Sequence, residues 1–162
     1  AVNHFAPFVL TWHLLNTLVA APAGRIVNVS SMTHSGARLD PGELNIERGW
    51  DAYQAYGASK LANIAFTRQL AANLKRTALT ANALHPGVIG TQLLRAGFSI
   101  AGDSAENGAR TSVYLIDDPA VQGISGRYFV DCREESPSRA ARDPRFAQAL
   151  WEATATAVAA FL

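Results

Sequence analysis

Apolar positions along the chain switch between two periods, and the switch points outline seven elements. Phe5, Phe8, Val9, Trp12, Leu15 and Val19 recur at helical spacing and predict a helix over 4–20. Ala21-Pro22-Ala23-Gly24 stops it. Residues 25–30 form a short β-branched run, of the kind buried on both faces of a sheet. A polar stretch over 32–52, with Gly36, Pro41, Gly42 and Gly49, predicts a long loop, and long loops tend to carry function. Helical spacing resumes over 53–76, through Leu61, Ile64, Ala65, Phe66, Leu70 and Leu74. Residues 80–85 predict a second strand, stopped by Pro86-Gly87, and 88–103 a second loop. A helix follows over 104–117, with Ser104 as N-cap and Glu106 and Asn107 in its first turn. Residues 126–131 predict a third strand. Residues 143–161 predict a closing helix striped by Phe146, Leu150, Ala153, Ala157 and Phe161.

Alternating helices and strands imply an α/β fold, with parallel strands joined by right-handed helical crossovers. In such sheets ligands bind beyond the carboxyl ends of the strands, where Ser30, Ser31, His85, Pro86 and Gly87 fall. We read residues 1–162 as one domain without internal repeats. Composition agrees: 49% hydrophobic and 17% charged residues describe a globular chain. Fourteen basic against 13 acidic residues, with no basic run, give no nucleic-acid surface. Apolar stretches are interrupted before they reach a membrane span. One cysteine, Cys132, excludes an internal disulfide and fits a reducing, cytoplasmic compartment. Asn28-Val29-Ser30 matches a glycosylation acceptor but lies in the apolar strand, so we set it aside. His4, His13, His34 and His85 lack metal-ligand spacing, and we expect no metal. His85 is expected to pack near a cofactor and His34 to border substrate space, each with a structural role as the plainer reading. Cys132 reads as a buried strand-end residue. Trp12 and Trp151 read as helix-packing residues, and Trp50 as one that could touch substrate.

Candidate chemistry enters with Tyr56 and Lys60, which share a helix face at i and i+4. A nearby ammonium favours the phenolate. A phenol so tuned can exchange a proton with an alcohol or carbonyl oxygen. Taken alone, the pair is also what a solvated helix face shows by chance.

Tyr56-x-x-x-Lys60, with residues 26–31 (Ile-Val-Asn-Val-Ser-Ser) upstream and 82–87 (Asn-Ala-Leu-His-Pro-Gly) downstream, resembles a short-chain dehydrogenase/reductase. Asn3-His4-Phe5 resembles the helix that carries that family's asparagine. The 25-position gap from Ser31 to Tyr56, Ser59-Lys60-Leu61-Ala62-Asn63 and the Tyr128-Phe129-x-Asp131-Cys132 tail point to its retinol-dehydrogenase-like branch. The resemblance covers essentially the whole chain. It implies a Rossmann-like, doubly wound sheet, here about three strands with helices on both faces. It implies an NAD(P)-dependent oxidoreductase interconverting an alcohol and a carbonyl, with NADP placed ahead of NAD. Tyr56 would be the general acid or base, and Lys60 would assist it and hold the nicotinamide ribose. Ser31, rather than Ser30, would hydrogen-bond the reacting oxygen, and Asn3 would hold a water linking Lys60 to solvent. Pro86, Gly87, Val88 and Thr91 would meet the nicotinamide. The substrate would be a small lipophilic alcohol, aldehyde or ketone, walled by the loops at 32–52 and 88–103. A homodimer through helices 4–20 and 53–76 is also implied. The alternative is a catalytically silent dinucleotide-binding or dimerisation module of the same fold.

One part of the family pattern is missing. The chain has no glycine-rich phosphate turn and no residue to read the adenosine ribose. It begins with Ala1, its one methionine is Met32, and the apolar helical pattern starts almost at once. We therefore expect the carboxyl-terminal catalytic part of a larger domain, lacking on the order of a hundred residues. By itself it is expected to bind NAD(P) poorly and turn over little.

Overall fold

The computed structural model of the chain describes residues 1–44, 51–90 and 102–162. Three strands, β1 (Arg25–Val29), β2 (Thr80–His85) and β3 (Tyr128–Val130), pair in parallel in the order β1-β2-β3. A fourth, β4 (Arg133–Glu135), pairs antiparallel with β3 at the far edge. The sequence did not predict β4. Its hairpin turn is Asp131-Cys132, with φ of 47° and 59°, and it lacks the Asn-Gly or Asp-Gly signal that usually marks such a turn. Cys132 is thus a half-buried turn residue rather than a buried strand end. Its backbone N–H donates to Thr111 Oγ1 (3.2 Å).

Helices cover both faces of the sheet. Helix α1 (Phe5–Ala20), α2 (Ala52–Asn73) and α5 (Pro144–Ala157) lie on one face, and α3 (Ala105–Asp117) lies on the other. A short α4 (Arg139–Arg142) precedes α5, so the predicted closing helix is divided at Asp143-Pro144. Asp143 caps α5, with Pro144 at its first turn. The predicted apolar stripe ends at buried Val158, while Phe161 sits exposed on a terminal 3-10 turn. Ser104 caps α3 as its sequence predicts, accepting from Asn107 N–H.

Strand β2 is the central element, and its side chains explain the layering. Ala81 and Ala83 face α2; their small size lets the long helix lie close, packing Phe66, Leu70 and Leu61, Ile64 against the sheet. Leu84 faces the other way and joins Leu115, Val121 and Phe129 under α3. Phe8 of α1, Phe66 of α2 and Trp151 of α5 meet at ring separations of 4.9–5.7 Å. Trp151 therefore packs as expected, but Trp12 is 45% exposed. Trp50 lies outside the described residues.

Strand β1 departs from its expected burial. Its residues are half-buried and Val29 is 45% exposed. A parallel strand is buried when it has neighbours on both sides, and among the described strands β1 has one. The predicted loop over 32–52 opens with a 3-10 turn, Met32–Gly36, capped by Ser31.

Candidate active site

The register Val29↔Leu84 brings β1 and β2 to an end together, and Ser30 N–H continues the ladder to Leu84 O (2.7 Å). Ser30-Ser31 and His85-Pro86-Gly87 therefore emerge side by side at the carboxyl edge of the sheet. Helix α2 starts over this edge, with Asp51 capping it through Gln54 N–H (2.8 Å). Its first three turns carry Tyr56, Ser59 and Lys60, at i, i+3 and i+4 on one face of the helix.

Two polar contacts fasten α2 to the end of β1. Lys60 Nζ (3.2 Å) and Asn63 Nδ2 (3.3 Å) both donate to Val29 O. The Lys60 ammonium also lies over the Tyr56 ring, 5.4 Å from its centroid. Burial of Lys60 pulls its pKa below the ordinary lysine range, since desolvation penalises the charged form. Asn3, before α1, reaches the same point: its Nδ2 donates to Ser59 Oγ (3.1 Å), which in turn donates to Tyr56 O (2.7 Å). Asn3 is thus tied through Ser59 to the stretch of α2 that carries Tyr56 and Lys60.

The two serines differ. Ser30 is buried and its hydroxyl donates to Lys60 O (2.7 Å), so it bonds to the α2 backbone. Ser31 Oγ accepts from Thr33 N–H (3.3 Å), which leaves its own proton free to donate elsewhere. Gly57 explains how the Ser31 turn comes so near α2. A Cβ at Gly57 would stand 3.2 Å from Thr33 O and 3.2 Å from Ala37 Cβ. The absence of a side chain lets the turn press on α2 directly beside Tyr56.

Beyond β2, Gly87 takes φ +95°, which L side chains rarely adopt. It turns the chain so that Gly87 and Val88 are exposed at the sheet edge, with Pro86 partly so. The segment is held to the start of α3: Gly90 N–H donates to Asp103 O (2.9 Å) and Asp103 N–H to Val88 O (2.8 Å). Thr91, the remaining nicotinamide candidate, lies outside the described residues, as does much of the 88–103 loop.

Two histidines border the site. His85 is buried, and its Nδ1 has no hydrogen-bond partner among the described residues. Burial, then the neighbouring His34, lowers its pKa. His34 is also buried. Its Nδ1 pairs with Ser31 O (2.7 Å) and its Nε2 with Ser138 N–H (3.0 Å). Burial lowers the His34 pKa, and the Ser31 bond partly offsets that. The linkage from His34 to Ser138 spans 104 positions and has no signal in the sequence. Ser59 as the partner of Asn3 was equally hidden, although Ser59 stands inside the motif. Among the described residues no group of three or more His, Cys, Asp or Glu could hold a metal ion. None of their helices is long and apolar enough to cross a membrane.

The donor set fits the nicotinamide end of a dinucleotide. Lys60 uses one of its three N–H donors on Val29 O, and two remain for ribose hydroxyls. Nothing in the chain supplies the glycine-rich turn that would hold a diphosphate.

Comparison with known proteins bears on the fold and the family. Human retinol dehydrogenase 14 is 39% identical over 164 residues, an alignment covering 93% of this chain and 49% of the relative. A crystal structure of an uncharacterized protein from Mycobacterium Paratuberculosis superimposes with a TM-score of 0.74 at 32% identity, covering 95% of this chain and 56% of that one. A short chain dehydrogenase from Escherichia coli, complexed with NADPH, gives 0.64 at 25% identity, covering 80% and 50%. The chain spans about half the length of the curated relatives it matches. Residues 1–99, from the Asn3 segment through the Pro86-Gly87 loop, match the short chain dehydrogenase family model, and the chain belongs to that family.

Proposed function

We propose that this chain carries the proton-transfer half of an NAD(P)-dependent oxidoreductase that interconverts a lipophilic alcohol and its aldehyde or ketone. The observation that carries the reading is the Lys60 ammonium, anchored on Val29 O and lying over the Tyr56 ring at the carboxyl edge of the sheet. That edge is where α/β sheets bind their ligands. NADP(H), when bound, supplies or takes the hydride. Pro86, Gly87 and Val88, with Thr91 beyond them, would line its nicotinamide, and Lys60 would hold its ribose. Tyr56 gives its phenolic proton to the carbonyl oxygen in reduction and takes it back in oxidation. Ser31 donates its free hydroxyl proton to the same oxygen, stabilising charge that develops there. Asn3, fixed on Ser59, would hold a water that joins Lys60 to solvent.

The relatives' names support a retinoid-like substrate, and the NADPH-bound and NADH-bound neighbours support a nicotinamide dinucleotide, with NADP kept ahead of NAD on the family resemblance alone. A homodimer through α1 and α2 belongs to the same reading; Leu10, Trp12 and Leu14 of α1 are exposed. A cytoplasmic setting rests on the single cysteine.

The test joins this chain to the amino-terminal half of human retinol dehydrogenase 14 and follows NADPH oxidation with all-trans-retinal. Tyr56→Phe is expected to lower turnover by roughly 10²–10⁴-fold, the usual share of a general acid. Unchanged turnover would favour the alternative, a catalytically silent module of the same fold.

A further inference from the structure

We infer that His34 is a positioning residue: it orients the peptide that carries Ser31 by tying it to the backbone of Ser138, at the start of α4. The inference rests on the proposed role of Ser31 as the donor to the reacting oxygen.

Ser31 O accepts two hydrogen bonds from one residue, the backbone N–H of His34 (3.2 Å) and its ring Nδ1–H (2.7 Å). The first is the ordinary closing bond of a 3-10 turn. The second is shorter and comes from a buried ring that cannot swing away. Together they fix the plane of the Ser31 carbonyl, and with it the direction of the Ser31 Cα–Cβ bond. Ser31 lies just beyond β1 and caps the 3-10 turn, its Oγ accepting from Thr33 N–H (3.3 Å), and the doubly bonded carbonyl is the second anchor that sets its orientation.

The ring in turn is fixed from its other end. Nε2 accepts from Ser138 N–H (3.0 Å), and a backbone amide can only donate, so Nε2 must carry the lone pair. That assigns the proton to Nδ1, which is the tautomer needed to donate to a carbonyl. Ser138 itself is held by its role as N-cap of α4, its Oγ accepting from Ala141 N–H (3.4 Å). Tyr128 of β3 closes the pocket, with its ring 5.1 Å from the imidazole in an edge-on arrangement. One neutral imidazole thus joins the end of β1 to the segment after β4. No apolar side chain could do so, and no other neutral side chain both donates and accepts at this spacing with a rigid ring.

The two bonds can be separated by substitution. Asn places an amide N–H near the position of Nδ1, and Gln places an amide oxygen near that of Nε2. The experiment is NMR on the 162-residue chain at pH 7, reading imidazole ¹⁵N shifts, the Ser31 χ1 couplings and Ser138 amide exchange. For the unsubstituted chain we expect His34 in the Nδ1–H tautomer and Ser31 in a single χ1 rotamer. His34→Gln should let Ser31 χ1 average while Ser138 stays protected. His34→Asn should keep the Ser31 rotamer while Ser138 exchanges about tenfold faster, the effect of one ordinary hydrogen bond. An Nε2–H tautomer, or a Ser31 rotamer that stays single in His34→Gln, would overturn the inference. If neither variant folds, the tautomer of the unsubstituted chain decides alone. Failure of the functional reading is seen separately: Ser31→Ala would then leave turnover of the retinal-reducing chimera unchanged, whatever the NMR shows.

Discussion

Acid should release the segment that presents Asn3, because His4 is buried in its neutral form. His4 is 9% exposed and lodged between α2 and α5, with Nε2 2.8 Å from Thr154 Oγ1 and Phe66 edge-on at 6.3 Å. Its Nδ1 and the nearby Asn63 Oδ1 have no hydrogen-bond partner among the described residues. Burial lowers its pKa from 6.5 to about 4, an effect that the Asn63 side chain only partly offsets. The native pKa lies below the unfolded one, so the unfolded chain takes up the proton first. Neutral His4 therefore stabilises the fold fully above pH 6.5, and the contribution is lost as pH falls towards about 4. At about 1.4 kcal/mol per pH unit, the loss is about 2 kcal/mol by pH 5 and about 3 kcal/mol by pH 4. That is a large share of the stability of a small domain. The assay is urea unfolding, followed by tryptophan fluorescence, of the unsubstituted chain and His4→Gln between pH 7 and pH 4. Glutamine can still meet Thr154 Oγ1 but does not titrate. Carboxylates and the other histidines titrate equally in both proteins, so their contributions cancel in the difference. Stability curves that fall in parallel would refute the reasoning.

Four further predictions concern the site and its support. Ser30→Ala should cost about 1 kcal/mol, the bond to Lys60 O, and leave turnover of the chimera within a few-fold. Ser31→Ala should also cost about 1 kcal/mol, the cap on Thr33 N–H, but lower kcat by roughly 10²-fold. Gly57→Ala gains about 1 kcal/mol of helix propensity but must push Thr33 O and Ala37 Cβ back from 3.2 Å. Thermal melts should move little while kcat falls, and an unchanged kcat would show that the Ser31 turn does not depend on that contact. Asn82, buried in β2, holds Ile124 O (2.7 Å) and Arg127 N–H (3.0 Å). Asn82→Ala leaves both unsatisfied and should destabilise by about 2–4 kcal/mol in urea unfolding.

The sequence by itself determined the order of the elements and the residue types of the candidate site. Hydrophobic periodicity is a local property, so α1, α2, α3 and the three parallel strands were legible from it. Tyr56 and Lys60 were legible because a single helix fixes the i, i+4 spacing. The Ser104 cap was legible because a cap is chosen by its own next three residues. The tertiary structure alone decided everything that required two distant segments to meet. The β3–β4 hairpin closes on Asp131 and Cys132, whose positive φ values no local turn signature announces. The exposure of β1 depends on a neighbour that the residues of β1 do not encode. Ser30 and Ser31 are adjacent and chemically identical; only the approach of α2 assigns one to Lys60 O and leaves the other at the sheet edge. Gly57 is an ordinary helix residue until the 3-10 turn is packed against it. His34 and Ser138 lie 104 positions apart, and their bond exists because β1 and the segment after β4 converge on the same face of α2. Periodicity carries information over a few residues, whereas a site is assembled by contacts between strand ends, and those follow from packing.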